Sequence, residues 1–216
     1  MITPPHAESQ SQSQPAVALE PGFEIVVQAF WDKNRNLILG VCIAALLGII
    51  GREGWQFYAA QQEQGVREAY AKVADRPEQL AAFAGAHSGH VLAGIAWLRL
   101  ADSKYAVGDF RAAAENYTKA VTGLKQPALL GRARIGAAMS QVNGADKTAG
   151  EAALKAISAD TALPKGVRVE ATYHLATLAQ EAGHAAEVSR LVAEAGKIDA
   201  SSSWSQRATA LLTSKP

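Results

Sequence analysis

One stretch of 34 residues, 94–127, constrains the fold of this chain more than any other. It reads GIAWLRLADSKYAVGDFRAAAENYTKAVTGLKQP, with large and small residues at helical spacing on both sides of a Gly108-Asp109-Phe110 turn. Ala101, Ala113 and Ala120 are the small positions, where two helices must touch closely. Trp97, Leu100 and Tyr117 are the large ones, and they fill the space between neighbouring helix pairs. Pro127 closes the unit, because proline cannot continue a helix. Such a pair buries its apolar faces only by stacking on further copies of itself.

Two weaker copies follow. The first turns at Asn143-Gly144. The second has Leu175 and Ala176 before a turn at Gly183, and Ala195 after it. The turn glycines are 36 and 39 residues apart, so the copies are degenerate versions of the tetratricopeptide repeat, whose period is about 34 residues. A loop at Leu163-Pro164-Lys165-Gly166 separates two of them, and a last helix near 204–212, preceded by serines as a possible cap, closes the stack. Upstream, Val66, Ala69, Tyr70 and Val73 keep helical spacing until Pro77, and a second helix starts near Glu78. The expected fold is all-α: a single N-terminal transmembrane helix, then a tetratricopeptide-like α-solenoid over residues 59–216. Recurrent alanine and only 6% aromatic residues suit close-packed helices.

Residues 37–51 contain neither charge nor proline and are flanked by Arg35 and Arg52. Fifteen residues span only about 22 Å, less than a hydrocarbon core of about 30 Å. Snorkelling of Arg35 and Arg52 lengthens the segment. Phe30 and Trp31 before it, and Trp55, Phe57 and Tyr58 after it, stand like interfacial aromatic belts. The expectation is an anchor region over 23–58 with its transmembrane helix near 36–55. A cleaved signal is disfavoured by the long preceding segment, and a lipoprotein signal by Val41 before Cys42. Lys33 and Arg35 against Arg52 place the N-terminus in the cytoplasm by a margin of one charge. Residues 1–22, rich in Ser, Gln and Pro, read as a disordered tail.

The 21 Lys+Arg and 20 Asp+Glu nearly balance, which argues against a nucleic-acid surface. A single cysteine excludes an internal disulfide. Phosphate-binding, zinc-protease and serine-hydrolase motifs are missing, so no catalytic, metal or cofactor residues are expected. His87 and His90 are close enough to share a metal but lack a nearby carboxylate in sequence, which favours a plain loop. Asp102 and Asp109 read as solvated or capping residues. Arg132, Arg134, Arg168 and Glu170 read as a solvated helix face, with a concave lining as the alternative. His174 and His184 are expected to face a groove or solvent.

The layout resembles the YfgM-like ancillary subunits of the bacterial Sec translocon. The shared parts are the FWDKNRN lead, one apolar helix, the GWQFY exit, and an Ala-rich repeat domain with LAGIAWLRLADSKYAVGDFRAAAENYTKA at its centre. That resemblance implies a non-catalytic, single-pass inner-membrane adaptor with a periplasmic repeat domain. Its expected partners are Sec translocon subunits and periplasmic chaperones, with no nucleic acid and no small-molecule substrate. A cell-envelope or division scaffold, or a membrane-bound regulatory subunit, remain the alternatives.

Overall fold

The computed structural model describes residues 22–213, and the tail expected over 1–22 lies outside them apart from Gly22. The described residues form helices only: α1 (Phe23–Val73), α2 (Pro77–Ala86), α3 (Val91–Ala106), α4 (Phe110–Gly123), α5 (Pro127–Asn143), α6 (Lys147–Ala159), α7 (Lys165–Glu181), α8 (Ala185–Asp199) and α9 (Ser203–Ala210). The all-α expectation holds. Contacts divide the chain into two units, with the boundary after Ala59.

The described part of the first unit is a stretch of α1 alone. No residue of α1 is buried, and Leu47, Ile50 and Trp55 are all exposed. An exposed apolar surface of this extent marks a site of contact with a membrane or with another protein. The helix is long and apolar enough to cross a membrane. The charge-free run sits inside unbroken helix on both sides, so the apolar segment extends past Arg52 and Glu53 as helix. The twenty residues of 36–55 cover about 30 Å as α-helix.

The second unit is built by local rules. Proline opens α2 and α5 at the first helical turn, where its missing N–H costs nothing. Asp109 caps α4 by accepting from the Ala112 N–H (3.2 Å), and Asp146 caps α6 through Ala149 (2.9 Å). Ser202 caps α9, fulfilling the expectation drawn from the serine run. Gly108 (φ 79°) and Gly183 (φ 75°) occupy the left-handed region that favours glycine. Gly144 differs. Its φ is −95°, and what it lacks is room, since a Cβ there would stand 2.9 Å from the Ser140 carbonyl oxygen.

Each helix packs on the next from α2 to α9. In addition α3 touches α5, α5 touches α7 and α7 touches α9, whereas among the described residues α4, α6 and α8 do not touch one another. The odd helices therefore form the tight inner side of a curved stack and the even helices the splayed outer side. The closest crossings are made by glycines that the sequence reading passed over. A Cβ on Gly94 of α3 would lie 2.9 Å from the backbone of Gly123 on α4. One on Gly150 of α6 would lie 2.6 Å from the Ala138 carbonyl oxygen on α5. Backbone cannot yield as a flexible side chain does. Gly150→Ala should therefore cost about 1–3 kcal/mol. Gly196 in α8 has nothing within 4 Å of the same probe position, so Gly196→Ala should stabilise by about 0.4–1 kcal/mol. Urea melts of the full-length protein in detergent, followed by circular dichroism, would check the opposite signs.

Candidate binding surface

The seam between the odd helices carries the polar groups. Tyr117 of α4 is buried, and its ring fills the space over Gly136 of α5 that a Cβ would occupy. The hydroxyl of a buried tyrosine requires a partner. It donates to Asp102 Oδ1 on α3 at 2.7 Å, and Arg132 of α5 donates to Oδ2 of the same carboxylate at 2.7 Å. Burial, followed by the adjacent Asp102, pushes the Tyr117 phenol far above its ordinary range. A second tie between the same helices runs from Asn143 Nδ2 to Tyr105 Oη at 2.7 Å.

Asp102 is thus a junction, not the solvated or capping residue expected, because the next repeat supplies its cation. Arg134 is paired as well, with Asp160 at 3.0 Å, and Arg168 donates to the Ser158 carbonyl oxygen at 2.9 Å. Three of the four residues of the expected solvated face, Arg132, Arg134 and Arg168, are thus engaged. Glu170 of α7 is half-buried, which raises its pKa, while the fields of Arg132 on α5 and Arg207 on α9 oppose that rise. Beyond it, Trp204 of α9 stacks near Tyr173 (5.3 Å) and His174 (6.0 Å), and the Arg207 guanidinium covers the indole at 4.5 Å. Asp102, Arg132, Glu170 and Arg207 form a row of alternating charge along α3, α5, α7 and α9. They are 30, 38 and 37 residues apart, about one repeat each, and that periodicity is the signal that could have found them.

The residues chosen for repeat packing take several positions. Ala101, Ala113, Tyr117, Ala120, Leu175, Ala176 and Ala195 are buried. Trp97 and Leu100 are half-buried, with the Lys119 ammonium 4.6 Å over the Trp97 ring, and Gly108 and Gly183 lie at exposed turns. Trp31, Arg35, Arg52, Trp55 and Tyr58 are all exposed on α1. His90 lies in the α2–α3 connection, as expected, but its ring is partnered there. Its Nδ1 accepts from the Leu92 N–H (3.1 Å) and caps α3, which leaves Nε2–H to donate to Glu63 (2.8 Å), a carboxylate 27 residues upstream. With both ring nitrogens used, His87 and His90 do not form a metal pair. His87 instead stacks on Phe83 at 4.6 Å.

Two outcomes follow from this geometry. Tyr117→Phe removes one hydrogen bond but leaves Asp102 paired with Arg132, and should cost about 0.5–1.5 kcal/mol. Tyr117→Ala empties the ring's site and should cost about 3–5 kcal/mol; denaturant melts would separate the two. Burial lowers the His174 pKa below its ordinary 6.5, so the folded protein binds that proton less readily than the unfolded chain. The stability tied to neutral His174 is complete above pH 6.5 and is lost as the pH falls from there towards the lowered folded value. Melts of the protein and of His174→Gln across this range should show the acid-side loss only where His174 is present.

Among known proteins, a family profile described as a tetratricopeptide repeat-like domain matches residues 28–162. No curated protein and no solved structure matches the chain.

Proposed function

Because this chain belongs to the tetratricopeptide repeat-like family, we propose that it is a membrane-anchored, non-catalytic adaptor whose solenoid binds other proteins beside the Sec translocon. Repeat domains of this type are protein-binding modules, and one N-terminal helix here is long and apolar enough to span a membrane. The observation that carries the reading is the span of the family match. It begins at residue 28, inside α1, and runs to residue 162, so apolar helix and repeats are matched as one domain. An anchored solenoid has its inner face available for a polypeptide while α1 holds it at the bilayer.

In this reading the protein is single-pass in the bacterial inner membrane, with its N-terminus in the cytoplasm and its repeats in the periplasm. It meets translocon subunits through the anchor and periplasmic chaperones through the repeats. The resemblance of FWDKNRN, the apolar run and GWQFY to YfgM-like subunits supports this assignment. Purification of the full-length protein from native membranes in mild detergent should recover translocon subunits. Replacing residues 30–58 with an unrelated anchor should abolish that recovery. Recovery of envelope or division proteins bound through the repeats would instead assign the protein to a scaffold.

A further inference from the structure

Within the charge row, two members are already satisfied by each other, Asp102 and Arg132. The other two are not. Among the described residues, Glu170 makes no hydrogen bond or ion pair, although it is half-buried and its charge lies in the fields of Arg132 and Arg207. Arg207 likewise has no carboxylate partner and rests on the Trp204 ring. A half-buried carboxylate with no cation bonded to it carries a desolvation cost that distant charges offset only in part and that an incoming cation removes. An exposed guanidinium held over an indole is oriented to take a carboxylate.

We propose that Glu170 and Arg207 together form a docking point for a partner segment carrying one basic and one acidic side chain, the basic group on Glu170 and the acidic group on Arg207. This rests on the adaptor reading and names the chemistry of the partner. Glu170 and Arg207 stand on α7 and α9, which pack directly on each other. Helices in contact have axes about 8–10 Å apart, and an extended chain advances about 3.3 Å per residue. An extended segment crosses from one such helix to the next in about three residues, and that spacing is the one the test uses. The Trp204 ring lies beneath Arg207, and Tyr173 lies 5.3 Å from that ring. His174 of α7 is the titratable neighbour on the same helix, packed against Trp204, and the charge of Arg132 on α5 also acts on Glu170.

The test uses the full-length protein in detergent at low salt and four fluorescent decapeptides of Gly and Ser. They carry Lys-x-x-Glu, Glu-x-x-Lys, two lysines three apart, or no charge. Anisotropy titration should show at least one mixed-charge peptide binding about tenfold more tightly than the dilysine and uncharged ones. Exchanging the site charges, Glu170→Lys with Arg207→Glu, keeps the net charge and should reverse the preference between Lys-x-x-Glu and Glu-x-x-Lys. Equal binding of all four peptides, or an unchanged preference in the exchanged variant, would overturn the proposal. Circular dichroism of that variant establishes that it is folded, and if it is not, Glu170→Gln, which should remove the mixed-charge advantage, serves in its place. Translocon recovery through residues 30–58 does not depend on these two charges, so failure here leaves the adaptor reading standing, and failure of that recovery leaves the peptide result interpretable.

Discussion

The architecture depends on how closely its helix backbones approach. Gly94 faces Gly123 with no side chain between them, and Gly150 lies against the Ala138 carbonyl. On α5, Gly131 meets the Val167 side chain and Gly136 meets the Tyr117 ring. These four places serve the α3–α4, α5–α6, α5–α7 and α4–α5 packings in turn. A methyl group at any of them forces a shift, and interiors at crystal-like density transmit such shifts instead of absorbing them. Gly131 against Val167 joins two odd helices directly, on the inner side of the curve. Where α3, α5, α7 and α9 come together the inner side shortens, and α4, α6 and α8 are left apart.

The approach of the odd helices to one another brings a polar seam together. Charged residues on neighbouring inner helices are brought within reach of one another, so Asp102 meets Arg132 at 2.7 Å although 30 residues separate them. The same closeness half-buries Glu170 without delivering a partner. Asp102 illustrates the distinction between fold and surface. Its pairing with Tyr117 and Arg132 locks three helices, whereas the unpaired members contribute no such lock and remain available to solvent or to a ligand.

Much of the fold was legible before the structure. Helix spacing, the Gly-Asp turns and the prolines are local signals, and local signals place α2 to α9 within a few residues. Ala101, Ala113 and Ala120 were chosen as contact points because small residues at helical spacing have few other uses in a stacked pair. What escaped notice depends on the partner across the interface. Gly136 resembles any helix-weakening glycine until Tyr117 is placed above it. His90, in the α2–α3 connection, looks unpartnered until Glu63, 27 positions earlier, reaches its Nε2. Asp102 and Arg132 belong to different repeats, and only the one-per-repeat spacing of the charge row hinted at their meeting. The short apolar run was misleading in the opposite sense, since its length in residues mattered less than the continuity of α1 on both sides of it.

The two parts of the chain fit one physical logic. Ion pairs at a partly exposed surface contribute about 0–1 kcal/mol each, and a face built from a few such groups and two aromatic rings does not bind tightly by itself. Confining both partners to one membrane changes that balance, because tethering raises the effective concentration without adding a contact. A helix as apolar as α1 is at home in lipid, and a solenoid whose inner face is polar and partly unsatisfied benefits most from being held near its partner. For the proposed adaptor role, weak, charge-selective recognition allows release as well as capture, which a large apolar interface would prevent.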